Sequence, residues 1–182
     1  KDVEDIKRRI EELNKKLKEK IERIKKRIKE LNEEAAKKVE EIKERLKRLL
    51  DEIRELVRRD GPREDEIRRL REDLKRLLKE MEDTLKELED RHERLREEVE
   101  KTLRELEKKH KELKEELDRQ PVDDSLRKRL EEVLRESKKT AEDLKRDLRR
   151  ALEESKKNLK RLLDEVRKVI DEIRKALEEL ER

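Results

Sequence analysis

Apolar residues return along this chain on a repeat of 18, and nothing else in it constrains the fold as tightly. In the first third they fall at Val3, Ile6, Ile10, Leu13, Leu17, Ile21, Ile24, Ile28, Leu31, Ala35, Val39, Ile42, Leu46, Leu49, Ile53 and Val57. The steps are 3, 4, 3, 4 and 4, and the same five then recur. Five steps make five turns, or about 3.6 residues per turn, the period of an unstrained α-helix. A heptad, at about 3.5, would wind a left-handed supercoil, and an 11-residue repeat a right-handed one. The spacing therefore predicts helices that run straight.

The stripe restarts at Ile67 and runs through Leu70, Leu74, Leu77, Met81 and onward to Leu117. It restarts again at Leu126 and runs to Leu180. It widens at Leu50, Leu78, Leu134, Leu152, Leu163 and Ile170, as suits a helix that touches two partners. Asp60-Gly61-Pro62 and Gln120-Pro121-Val122-Asp123 separate the three stretches. Glycine ends a helix readily and proline cannot continue one. Asp123 or Asp124 is placed to cap the third helix. Connections this short require antiparallel neighbours. The predicted fold is all-α, a single-chain up-down-up bundle of three long straight helices of about 57 residues each. The expected helices are 2–59, 63–119 and 123–181, in one domain over 1–182, with loops near 60–62 and 120–122.

Composition excludes several functions. Charged residues make up 63% of the chain, and Phe, Tyr, Trp and Cys are absent. Without Cys there is no disulfide or thiolate metal site. Without aromatics there is no stacking platform for single-stranded nucleic acid. No apolar run approaches the roughly 20 residues of a membrane span, and no secretory leader is expected. The net charge is +4, with acids and bases interspersed rather than sorted into one basic face, so nucleic-acid binding is not expected. Residues 1–60, 61–120 and 121–182 carry net +5, −3 and +2. The middle helix is thus set to pack between two positive neighbours.

The unbroken stripe, Glu/Lys/Arg surfaces and minimal loops are what idealised construction prescribes. In this the chain resembles parametrically generated de novo helical bundles, in particular the untwisted three-helix kind with an 18-residue repeat. The resemblance spans the whole chain. It is one of pattern, and it implies a scaffold with no activity attached.

Polar residues interrupt the stripe on the same repeat. His92 and His110 are 18 apart, as are Asn14 and Asn32, Thr84 and Thr102, Ser137 and Ser155, and Thr140 and Asn158. Folding the chain at its loops pairs the first two helices at residue numbers adding to about 121, and the last two at about 242. This predicts one cluster of Asn14, Thr102, His110, Ser137 and Thr140. A second holds Asn32, Thr84, His92, Ser155 and Asn158. The next equivalent level is mostly apolar, with Leu50, Leu74, Ile173 and Ala176.

A surface-edge reading of these residues would not explain why five positions recur together. Two buried hydrogen-bond networks explain it. An unpaired buried polar group costs about 1–3 kcal/mol, so such groups belong together or not at all. The pattern resembles designed hydrogen-bond-network bundles and, through its histidines, their pH-responsive relatives. That resemblance implies histidines buried in the neutral form, with pKa values below about 6.5.

Ser137 with His110, and Ser155 with His92, could also be read as nucleophilic dyads. The stripe supplies no carboxylate to orient either imidazole. A shared metal fails on distance, since 18 helical residues span about 27 Å. Amide and hydroxyl neighbours are also poor zinc ligands. No catalytic, cofactor or metal residue is therefore assigned. The expectation is a monomeric structural protein whose ten polar residues set helix register, requiring no cofactor or partner. The alternative is a rigid rod that binds a partner or itself.

Overall fold

The structure is a computed structural model. It describes residues 2–59, 61 and 63–181, leaving aside the side chains at 2 and 3. Asp60 and Pro62 of the first break, and the Val3 side chain of the stripe, lie outside that description. Three helices form a bundle: α1 (Asp2–Arg58), α2 (Glu64–Arg119) and α3 (Asp124–Glu181). They hold 57, 56 and 58 residues, close to the expected spans.

The chain divides into two compact halves, Lys1–Lys29 with Glu93–Glu154, and Glu30–His92 with Ser155–Arg182. In the first, Ile6, Ile10, Leu113, Leu117, Leu130 and Leu134 make a core cluster, with Leu13 and Val133 against it. Ile21, Val99 and Leu148 are wholly buried in the same half. In the second, Leu46, Ile53, Leu70 and Ile173 are wholly buried, and the widening residues Leu50 and Ile170 are buried beside them. Each such side chain contributes about 1.5–3 kcal/mol by leaving water. Most of the 18-residue stripe is buried, while Leu13, Met81, Leu85, Val133, Leu144, Ala151 and Leu159 are half-buried. At two places in α3 the flank residues Leu134 and Leu152 lie deeper than the stripe residue beside them. The end of α1 departs furthest. There Leu56 is buried and Val57 is 36% exposed. Steps of 3 and 4 from Ile53 both land near the stripe, and the larger apolar side chain takes the buried position.

Ion pairs report the register. In the first half Arg9 pairs with Glu116, Lys20 with Glu105 and Arg27 with Glu98. In the second, Lys38 pairs with Glu87, Arg45 with Glu80 and Arg59 with Glu66. In these six the base is on α1 and the acid on α2, the sense the net charges of the segments favour, while Arg69–Glu52 and Arg91–Glu34 run the other way. In these six pairs the two numbers add to 125 rather than the expected 121 or so, which only Glu52–Arg69 among the described α1–α2 pairs meets. Side chains lean toward their own helix N-terminus. In an antiparallel pair both tips therefore meet below their own Cα level, and the numbers of the residues in contact run high. Exposed pairs of this kind are worth about 0–1 kcal/mol each, so they orient the helices more than they hold them.

The helix ends are closed by specific contacts. Asp123 Oδ1 accepts the Leu126 backbone N–H at 2.8 Å, which makes Asp123 the cap of α3. Arg127 donates to the carbonyls of Gln120 (2.7 Å) and Leu117 (3.3 Å) at the end of α2. Arg63 does the same for Leu56 (2.6 Å) and Arg59 (3.1 Å) at the end of α1. Each arginine thus serves carbonyls that no further helical turn can reach. Gly61 has φ +128°, a conformation other residues rarely adopt.

Candidate functional site

The repeat places Asn14 on α1, His110 on α2 and Ser137 on α3 in the first half of the chain. His110 Nδ1 lies 3.1 Å from the carbonyl of Leu106, one turn earlier on its own helix. A carbonyl only accepts, so Nδ1 carries a hydrogen there. His110 Nε2 lies 2.8 Å from Ser137 Oγ. The Ser137 hydroxyl donates to Asn14 Oδ1 at 2.6 Å. One polar chain therefore crosses all three helices. His110 and Ser137 are 3% and 2% exposed, while Asn14 is half-buried.

Burial pushes the His110 imidazole below its ordinary pKa of 6.5, because the charged form loses its hydration. The bond to Leu106 works against this, and the charge of Lys138 on α3 adds to it. Among the described residues, no buried side-chain nitrogen or oxygen lacks a hydrogen-bond partner.

In the second half, Ser155 is 3% exposed and donates to Asn32 Oδ1 at 2.7 Å. Asn32, Thr84, His92 and Asn158 are half-buried. Asn158 Oδ1 accepts from Arg161 at 2.8 Å, a partner on its own helix.

The threonines depart from the expected clusters. Thr102 is buried but donates to the Glu98 carbonyl of its own helix at 2.8 Å. Thr140 is exposed, which corrects its placement in the first cluster. Matching residue numbers across two helices fixes the level along the axis and leaves the direction around it open. At about 100° per residue, Thr140 points roughly a quarter turn away from the core side that Ser137 and Ala141 share.

Sequence reasoning passed over two features. One is the pair of capping arginines. A base at a helix start opposes the dipole, and that was their available signal. The other is a groove of about 540 Å³ over Leu103, Leu106, His110 and Ala141, rimmed by lysines and acids such as Lys111, Glu107, Lys138 and Glu142. Leu159 stands 18 residues after Ala141, so the groove opens where the repeat carries a smaller side chain. Among the described residues, no group of three or more His, Cys, Asp or Glu could hold a metal ion. No described helix is long and apolar enough to cross a membrane.

No family model matches the chain, and no curated protein sequence does. Among solved structures it is similar to a computationally designed three-helix bundle, with 25% identity and a TM-score of 0.52. The match covers 98% of this chain and 88% of that one. The likeness to designed three-helix bundles implied by the 18-residue pattern thus has a structural counterpart.

Proposed function

We propose that this chain is a structural scaffold without enzymatic turnover, in which buried polar contacts select one helix register and make stability respond to pH. The observation that carries this reading is the repeated α1–α3 pair. Asn14–Ser137 and Asn32–Ser155 each join residues 123 apart, one pair in each half of the chain. The stripe by itself would accept α3 slid along α1 by 18 residues. Such a slide leaves at most one of the two pairs intact. It sets Asn32 against the level of Ile173, or Ser155 against that of Leu50. Stranding a buried polar group costs about 1–3 kcal/mol, and choosing among similar packings is the best-attested role of buried polar groups.

The likeness to a designed bundle supports a scaffold rather than an enzyme. So does the 2% exposure of Ser137, whose oxygen is the atom a dyad would need to present to substrate. Among the described large apolar side chains only Val57 is exposed, which supports a monomer without an apolar docking face.

The test replaces Asn14 and Asn32 with Leu, Ser137 and Ser155 with Ala, and His110 with Leu, all together. The expected product is helical and at least as heat-stable, but less uniquely packed or prone to associate. Analytical ultracentrifugation and amide NMR spectra read this. A variant that stays monomeric, with spectra as dispersed as the parent's, removes the register role.

A further inference from the structure

The chain Leu106–His110–Ser137–Asn14 has more acceptors than hydrogens to serve them, and that arithmetic decides how it can respond to a proton. Nδ1 of His110 is committed to the Leu106 carbonyl. Ser137 lies between two groups, 2.8 Å from Nε2 and 2.6 Å from Asn14 Oδ1, and its hydroxyl has a single hydrogen. When His110 is neutral, Nε2 holds a lone pair and needs that hydrogen. Two oxygens would then face each other between Ser137 and Asn14, unless the amide turns over and presents its NH₂. When His110 is charged, Nε2–H donates to Ser137, and Ser137 donates onward to Asn14 Oδ1. Both arrangements satisfy every atom, and they differ in the direction of each bond.

We propose that His110, Ser137 and Asn14 form a two-state relay, in which a proton taken up from solvent on His110 Nε2 reverses the Ser137 hydroxyl and turns over the Asn14 amide on α1. No covalent bond is made or broken beyond N–H formation on the imidazole. Ser137 keeps its hydrogen and only rotates it. This rests on the pH-responsive part of the proposed function and gives it a mechanism. Protonation does not simply strand a charge; it runs the same contacts backwards, with the charge-bearing N–H ending on a chain of acceptors.

The surroundings allow this. On α2 the charged residues sharing the groove with His110 are Glu107, Lys111, Lys114, Glu115 and Asp118, and on α3 Lys138, Glu142 and Lys145. Lys145 is held by Glu107 at 3.1 Å, so part of that charge is already paired. On α1 the partner is the neutral Asn14, with exposed Glu11 and Lys18 about one turn to either side. The depressed pKa of His110 favours the neutral arrangement at neutral pH, whereas the Asn14 Oδ1 that faces Ser137 in the structure is the geometry of the charged one.

The groove beside His110 does not support a ligand site, because its rim mixes lysines and acids with no net preference for either sign. The relay is the inference that the geometry carries.

The experiment is an NMR titration of the whole chain from about pH 8 to about pH 5, spanning the ordinary His range. It follows the ring nitrogens of His110 and the side-chain NH₂ of Asn14. The two are expected to titrate with one midpoint. In Ser137→Ala, His110 still titrates and the Asn14 response is lost. In Asn14→Leu both forms lose their α1 partner, but the charged form loses the acceptor at the end of its charge-assisted chain, the stronger of the two bonds, so the His110 midpoint falls. An Asn14 signal that stays flat through the His110 midpoint overturns the relay. So does an Asn14 response that persists in Ser137→Ala, which would mark a through-space field. Should Ser137→Ala not fold, an unchanged midpoint in Asn14→Leu overturns it equally. A flat Asn14 signal alongside pH-dependent stability would sink the relay and leave the scaffold reading standing. A uniquely packed monomer after the five-residue apolar replacement would do the reverse.

Discussion

Ser155 gives its hydroxyl hydrogen to Asn32 across 123 residues of chain, the same separation that joins Ser137 to Asn14. On the register role proposed above, the two pairs, 18 residues apart in sequence, work together: a slide by a full repeat keeps at most one of them.

This leads to a prediction about the pair rather than its members. Ser155→Ala leaves the Asn32 carbonyl without its donor and is expected to cost about 1 kcal/mol, since Asn32 is only half-buried. Asn32→Leu with Ser155→Ala removes both partners and should cost less than the two single changes together. Urea midpoints of the four chains in a double-mutant cycle measure the difference. Strict additivity would mean the contact contributes nothing.

A second prediction concerns acid. The folded pKa of His110 is depressed by burial, so the folded state binds fewer protons than the unfolded chain. Stability is therefore full above the unfolded value of about 6.5 and falls as pH drops toward the folded pKa. Denaturant midpoints at about pH 7.4 and about pH 5 should show the loss, in a window above most carboxylate titration. His110→Leu should flatten the difference. An equal loss in parent and variant would assign the effect to other groups.

Arg127 supplies a third. Its guanidinium serves two carbonyls at the end of α2, so Arg127→Met is expected to cost about 1 kcal/mol by leaving them to water. Arg127→Lys should recover little of this, because a compact ammonium lacks the planar fork that reaches both. Thermal or urea unfolding of the three chains decides it, with Thr140→Ala as an exposed control expected within about 0.5 kcal/mol of the parent.

Filling the groove is the fourth. Ala141→Leu restores the size of side chain the repeat carries at Leu159 and should stabilise by about 0.5–2 kcal/mol. A lower melting temperature would show that Leu103, Leu106 and His110 leave no usable space there.

Much of this architecture was legible because one number, 18, governs it. Helices, breaks and the Asn–Ser pairs all follow from residues that share a phase, and phase is visible in a sequence. Direction around the axis is less so, which is why the sequence groups Thr140 with Ser137 although Thr140 is exposed. Depth of burial is graded further by neighbours: His110 and His92 share a phase, yet only His110 is fully buried. The arginine caps were hidden by abundance, since Arg63 and Arg127 stand among 59 basic residues. The offset of the ion pairs from 121 to 125 needed the lean of side chains, a property of helices in three dimensions rather than of letters in a row.

The capping arginines also set an order in time. Arg63 and Arg127 reach back 4 to 10 residues to their carbonyls, and loops of about 10 residues close in roughly 10–100 ns. The Asn–Ser contacts span 123 residues and cannot form until α3 has docked on α1, since long loops close last and at the highest entropic cost. Turns and hairpins therefore come first. On the register role proposed above, the polar pairs act on a molecule already collapsed and favour one alignment over the others. That role is one of proofreading, and it predicts that changes at Asn14 or Asn32 leave the folding rate nearly untouched and appear in the rate of unfolding, as stopped-flow kinetics would read.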